Sequence, residues 1–95
     1  MHPFDALGNP VRRDMLRALR VKPMTVGELA RRFPVSRPAV SRHLRVLEDA
    51  GLVETRIEGK HSICTVRVQG FGPVRAFVDE FWDTALARLQ ELARR

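Results

Sequence analysis

Ninety-five residues with 44% hydrophobic and 29% charged side chains specify one folded domain, with no room for a second core. The single cysteine, Cys64, excludes an internal disulfide, and no apolar run approaches the ~20 residues that a bilayer demands. The net charge of +6 is unevenly placed: residues 1–68 carry 13 Lys/Arg against 7 Asp/Glu, whereas residues 31–47 hold five arginines and no acid.

That basic segment is the footprint of a polyanionic partner, although charge alone is equally consistent with a solvated surface. Met1 leads directly to His2, Pro3 and Phe4, without the basic and apolar runs of a secretory signal, so the chain is expected in the cytoplasm. A short helix is predicted over 3–7. Asn9-Pro10 reads as an N-cap followed by a proline at the first helical position, where its missing N–H costs nothing. Val11, Met15, Leu16 and Leu19 then form an apolar stripe at helical spacing that ends before Pro23.

Thr25-Val26-Gly27-Glu28 is a capping box, in which two side chains satisfy each other's orphan N–H groups. Val26, Leu29, Ala30 and Phe33 follow on one face of a helix of barely two turns. Pro34 disfavours helical geometry at Phe33 and stops it. Ser36 caps the next helix, predicted over 37–50. There Val40, Leu44 and Leu47 fall within about 60° of one another and face a core. Arg37, Ser41, Arg42 and Arg45 fan across the opposite side, and Gly51 suits a left-handed position just past the end.

From residue 52 the period changes to two, with Val53, Thr55 and Ile57 alternating with Glu54, Arg56 and Glu58. Glu58-Gly59-Lys60-His61 supplies a two-residue hairpin loop with glycine first, the type II′ pattern. Pairing across it sets Thr55 opposite Cys64 and Val53 opposite Val66. A returning strand over 62–68 is then expected to bury Cys64, Val66 and Val68.

Gly72-Pro73 opens a last helix reaching about residue 93, with Val74, Phe77, Val78, Phe81, Trp82, Ala85, Leu86, Leu89 and Leu92 apolar. Its length of about 30 Å carries more apolar surface than so small a body can cover. A second copy is therefore expected against Phe77, Phe81, Trp82, Leu86 and Leu89, with Phe4 and Leu7 joining the seam.

The fold class is mainly α with a small β-hairpin: a winged helix-turn-helix. The helix-turn-helix is expected at about 25–50, the wing at 52–68 and a dimerisation helix at about 72–93, all in one domain over 1–95. The stretches "ALGNPVRRDMLRAL", "TVGELA" and "VSRPAVSRHLRVLEDAGLV" resemble the ArsR/SmtB-type bacterial transcriptional repressors. The resemblance covers about residues 4–68 well and the last helix by position and amphipathicity. It implies a homodimer seated on a palindromic operator until an effector changes it. Metal-sensing members carry paired cysteines on the helix matching "TVGELARRF", or His and acidic ligands on the last helix. This chain has neither cysteines in the first stretch nor a histidine in the last. Asp79 and Asp83 alone make a poor transition-metal site, so a member without the usual sensor is expected, with no cofactor.

Arg37, at the helix N-terminus, is the candidate for reading base edges, because a guanidinium can bind guanine O6 and N7 together. Ser41 lies one turn on and can reach base or phosphate, and Ser36, at the cap of the same helix, is also a candidate DNA contact. Pro38 either touches a thymine methyl or stiffens the first turn. Arg42 and Arg45 suit phosphates, which fix register without reading sequence. His43 is equally a phosphate contact or a structural histidine. Arg56 and Lys60 are candidates for flanking phosphates or the minor groove.

Cys64 reads as a small buried side chain, and as a redox or metal switch only if exposed with a lowered pKa. There is no Gly-rich phosphate loop, no tyrosine and no base beside Cys64, so no enzyme is expected. The rival from another class is a winged helix used for protein interaction, which would tolerate charge reversal at Arg37 and Arg42.

Overall fold

The structure, a computed structural model, describes residues 1–94. Helix α1 (Pro3–Ala6) and helix α2 (Pro10–Val21) are joined by a tight turn in which Asn9 caps α2, its side chain accepting from the Arg12 N–H at 3.1 Å. A two-residue strand β1 (Met24–Thr25) runs into helix α3 (Val26–Ala30). The capping box forms as expected: the Thr25 hydroxyl accepts from Glu28 N at 3.1 Å and the Glu28 carboxylate turns back to Thr25. Helix α4 (Arg37–Asp49) begins at Ser36, whose hydroxyl accepts from Ala39 N at 3.3 Å.

Gly51 ends α4 with φ +76°, the left-handed geometry for which glycine has no steric penalty. Leu52 N donates to Leu47 O at 2.9 Å and Gly51 N donates to Glu48 O at 2.9 Å, which closes a Schellman motif. Leu47 and Leu52, the two residues this motif brings together, are both fully buried.

The hairpin of β2 (Val53–Glu58) and β3 (His61–Val66) has the register read from the sequence, Val53 opposite Val66 and Thr55 opposite Cys64. Gly59 has φ +60° and Lys60 does not share the positive region, as a type II′ turn requires. The hairpin does not stand alone in its sheet, however. Strand β1 pairs with β3, Met24 opposite Cys64, which makes a three-stranded antiparallel sheet in the order β1-β3-β2.

Val68 is a second correction, being 72% exposed. Strand β3 stops at Val66, Arg67 N donates to Leu52 O at 2.8 Å, and a 3₁₀ turn over Val68–Phe71 carries the chain away. Ile57 is also exposed, because the hairpin beyond Val53 leaves the body of the molecule.

Met15, Leu16 and Leu19 of α2, Leu29 of α3 and Val40, Leu44 and Leu47 of α4 close the core over Met24, Leu52, Val53 and Cys64. Helix α5 (Gly72–Ala93) buries none of its residues, and the molecule extends 63 Å along its longest axis. Phe77, Phe81, Trp82, Leu86, Leu89 and Leu92 are all exposed on it. Edge-to-face contact between Phe4 and Phe77, with ring centroids 5.3 Å apart, ties α1 to its base, and Phe77 meets Phe81 at 4.9 Å. Leu7 is half-buried against the core. No helix among the described residues is long and apolar enough to cross a membrane.

Candidate nucleic-acid interface

The same wheel that sends Val40, Leu44 and Leu47 inward sends Arg37, Pro38, Ser41, Arg42 and Arg45 out, and all five are exposed. Ser36, at the exposed start, is occupied in capping. Among the described residues, the side chains of Arg37, Arg42, Arg45 and Lys60 form no hydrogen bond or ion pair. Four cations thus share the outer face of α4 and the wing tip without internal neutralisation. Arg56 differs from them: its Nε lies 2.8 Å from the Glu58 carboxylate on the same strand, so part of its charge is spent there.

His43 stands apart from this face. It is half-buried, with Nδ1 3.5 Å from Nη1 of Arg12. A guanidinium can only donate, so Nδ1 carries the lone pair and the proton sits on Nε2. Burial, with the charges of Arg12 and Arg42 behind it, holds the imidazole below its ordinary pKa.

Arg12 was not among the residues expected from the sequence. Its Nε donates to Ala6 O at 2.7 Å and its Nη2 to Asp5 O at 3.2 Å, while Arg13 donates to Leu7 O at 2.8 Å. These two arginines add side-chain donors to the carbonyls at the end of α1, and Arg12, through His43, ties α1 to α4. The available signal was a pair of arginines just inside a helix that follows a very short one.

Cys64 is fully buried. Burial pushes its thiol up, against a smaller opposing effect of the Thr55 hydroxyl 3.9 Å from Sγ, and the Glu48 carboxylate pushes it further. Thr55 in turn donates to Glu48. His61 is exposed at the start of β3, away from the buried thiol. Among the described residues no group of three His, Cys, Asp or Glu side chains could hold a metal ion.

The chain thus combines a helix pair joined by a tight turn, a basic outer face on the second helix and a β-wing behind it. The helix-turn-helix domain family matches residues 7–56. The chain is 42% identical over 89 residues to the HTH-type transcriptional regulator Rv2034 of Mycobacterium tuberculosis, covering 94% of this chain and 83% of that protein. It superposes with TM-score 0.78 and 34% identity on the crystal structure of the ArsR family transcriptional regulator RHA00566, over 85% of this chain and 89% of that one.

The chain is an ArsR-family helix-turn-helix transcriptional regulator.

This ArsR-family regulator is also similar to a homodimeric winged helix-turn-helix DNA-binding domain from Mycobacterium bovis, a possible ArsR-family regulator. There the TM-score is 0.67 at 26% identity, over 83% of this chain and 73% of that one. The relatives and structural neighbours that it matches are transcriptional regulators, not enzymes.

Proposed function

We propose that this regulator works in the cytoplasm as a homodimeric repressor, seated on an inverted-repeat operator with α4 of each protomer in the major groove. The observation that carries the reading is the exposed, unpaired row Arg37, Arg42 and Arg45 on α4, with no acid on the helix before Glu48. Arg37, Ser41 and Pro38 are assigned to base edges, and Arg42 and Arg45 to phosphates. Lys60, and Arg56 where it can leave Glu58, are assigned to the flanking backbone or the minor groove. His43 is assigned to holding Arg12 rather than to a phosphate, because its accepting nitrogen faces that guanidinium.

The unburied apolar face of α5 supports a second copy, with Phe4, Leu7, Phe77, Phe81, Trp82, Leu86 and Leu89 in the seam. Two recognition helices held about 34 Å apart would then meet successive major grooves on one side of the duplex. A dimer placed over promoter DNA blocks polymerase by occupancy alone.

The test is fluorescence anisotropy of a duplex from upstream of the protein's own gene against a scrambled duplex, at several salt concentrations. Preference for the upstream duplex with two protomers per site is expected. If each protomer neutralises four phosphates, log affinity falls against log salt with a slope of about −7. Equal binding to both duplexes, unchanged by charge reversal at Arg37 and Arg42, would support a protein-interaction module instead.

A further inference from the structure

Between α3, the first turns of α4 and the tip of the wing lies a cleft of about 380 Å³. Three segments remote in sequence wall it. Arg31 comes from the end of α3, Arg37 and Ser41 from α4, and Lys60, His61 and Ser62 from the hairpin. No Asp or Glu lines it. The acid on α3, Glu28, is turned to Thr25, accepting from its hydroxyl at 3.1 Å. Gly27 also lines the cleft, opposite the Arg37 guanidinium.

The three cations gathered around this recess, Arg31, Arg37 and Lys60, repel each other, and no acid in its walls offsets them. The ligand that matches this arrangement is an anion with several acceptor oxygens, which the guanidinium of Arg31, the ammonium of Lys60 and the hydroxyl of Ser62 can meet together. A single carboxylate would leave donors unused, and a neutral ligand would leave the charges unmet. The volume exceeds that of one phosphate and leaves room for the group it is esterified to.

We infer that this cleft seats one phosphate group, supplied by the operator backbone when DNA is bound and by a free phosphate-bearing small anion when it is not. The DNA half of this inference rests on the operator reading above; the free-anion half does not. Arg37 forms the wall nearest the groove and keeps its assignment to bases, so Arg31 is the residue that isolates the seat. Because one wall belongs to α4 and another to the wing, an occupied seat also fixes the angle between them.

The test has two arms, both on the whole chain. Inorganic phosphate is titrated at constant ionic strength, balanced with chloride, while the backbone amides of Gly27 and Ser62 are followed by NMR. Saturable shifts are expected, with affinity about tenfold weaker in Arg31→Gln, an exposed position whose change leaves the fold intact. In the second arm, operator duplexes carry a neutral methylphosphonate at one backbone position at a time. One position in each half-site is expected to weaken the wild type by a similar factor and to leave Arg31→Gln unaffected.

Saturable phosphate binding without a coupled methylphosphonate position would assign the seat to a free anion alone, and the reverse result would assign it to DNA. Non-saturable shifts identical in wild type and Arg31→Gln, with no coupled position, would overturn the seat while leaving operator binding standing. Loss of operator preference with phosphate binding retained would strike the repressor reading instead.

Discussion

Gly70 and Gly51 meet backbone to backbone, so closely that any side chain at Gly70 would overlap the Gly51 carbonyl and crowd Leu52 N at 3.2 Å. The contact presses the 3₁₀ turn that feeds α5 onto the end of α4, where Arg67 Nη1 also donates to Gly51 O at 3.4 Å. The neighbour is backbone, held by the Schellman bonds, and has little room to retreat. Gly70→Ala is therefore expected to cost about 1–3 kcal/mol, read as a lower urea midpoint at unchanged slope. Gly72→Ala, whose Cβ would meet nothing within 4 Å at the start of α5, is the control and is expected to keep or slightly raise the midpoint. Equal midpoints for both variants would mean that the turn moves freely off α4.

His43 predicts a particular pH dependence. Burial and the Arg12 and Arg42 charges hold its folded pKa below the ordinary value of about 6.5. The unfolded chain therefore binds this proton more readily than the folded one. Stability from this site is complete above about pH 6.5 and is lost as pH falls toward the folded pKa. Urea melts between pH 7 and 5 are expected to lose stability in the wild type and less of it in His43→Gln. Glu28, whose carboxyl is held down by its bonds to Thr25, loses its contribution only in the lower carboxylate range, so the two are separable. An identical slope in His43→Gln would remove the imidazole from the account.

The parts of this fold that were legible in the sequence are those set by neighbours along the chain. Asn9, Thr25 and Ser36 cap helices because a side-chain oxygen reaches an N–H three residues on. The hairpin register follows from a two-residue loop that leaves one pairing. Strand β1 was not legible, because two residues cannot display a period and its partner is forty residues away: Met24 is a strand only because Cys64 lies beside it. Val68 was misassigned by carrying the alternation past Val66, where the bond from Arg67 N to Leu52 O turns the chain. In the candidate site, the outer arginines of α4 follow from helical spacing. The Arg12–His43 contact spans 31 residues and leaves no mark on local pattern.

The α5 face predicts the oligomeric state. Phe81 and Trp82, 61% and 64% exposed, lie mid-helix with apolar neighbours on both sides. A charge placed in that seam would be desolvated without a partner, at a cost of several kcal/mol. Phe81→Glu is expected to shift the mass measured by light scattering from two chains to one. Because α5 buries nothing in the single chain, the variant should keep its helical circular dichroism. A dimer that survives both Phe81→Glu and Trp82→Ala would move the seam elsewhere.

Cys64 is predicted to be inert while the chain is folded. Its burial opposes both reagent access and the thiolate, and the thiolate is the species that reacts. Modification by a disulfide reagent is expected to track unfolding, rising with urea along the melting curve. Peroxide at concentrations that leave the fold intact should not change operator affinity. Rapid labelling in native buffer, with DNA release prevented by Cys64→Ser, would make the thiol a switch.

Arg37 and Arg45 share the outer face of α4 but are predicted to fail differently. Arg37 is the first residue of the helix, the end at which recognition helices touch bases, whereas Arg45 lies two turns further along. A bidentate arginine–guanine pair discriminates by about 1–3 kcal/mol, so Arg37→Ala, which removes one such pair from each protomer of the dimer, should lose about thirtyfold or more on the operator and little on scrambled DNA. A phosphate contact carries no sequence information. Arg45→Ala should therefore weaken both duplexes by a similar factor, and flatten the salt slope by about two for a dimer that loses one contact per protomer. Anisotropy on the two duplexes at three salt concentrations separates these outcomes. Uniform loss in Arg37→Ala would reassign that guanidinium to the backbone, beside the cleft it already lines.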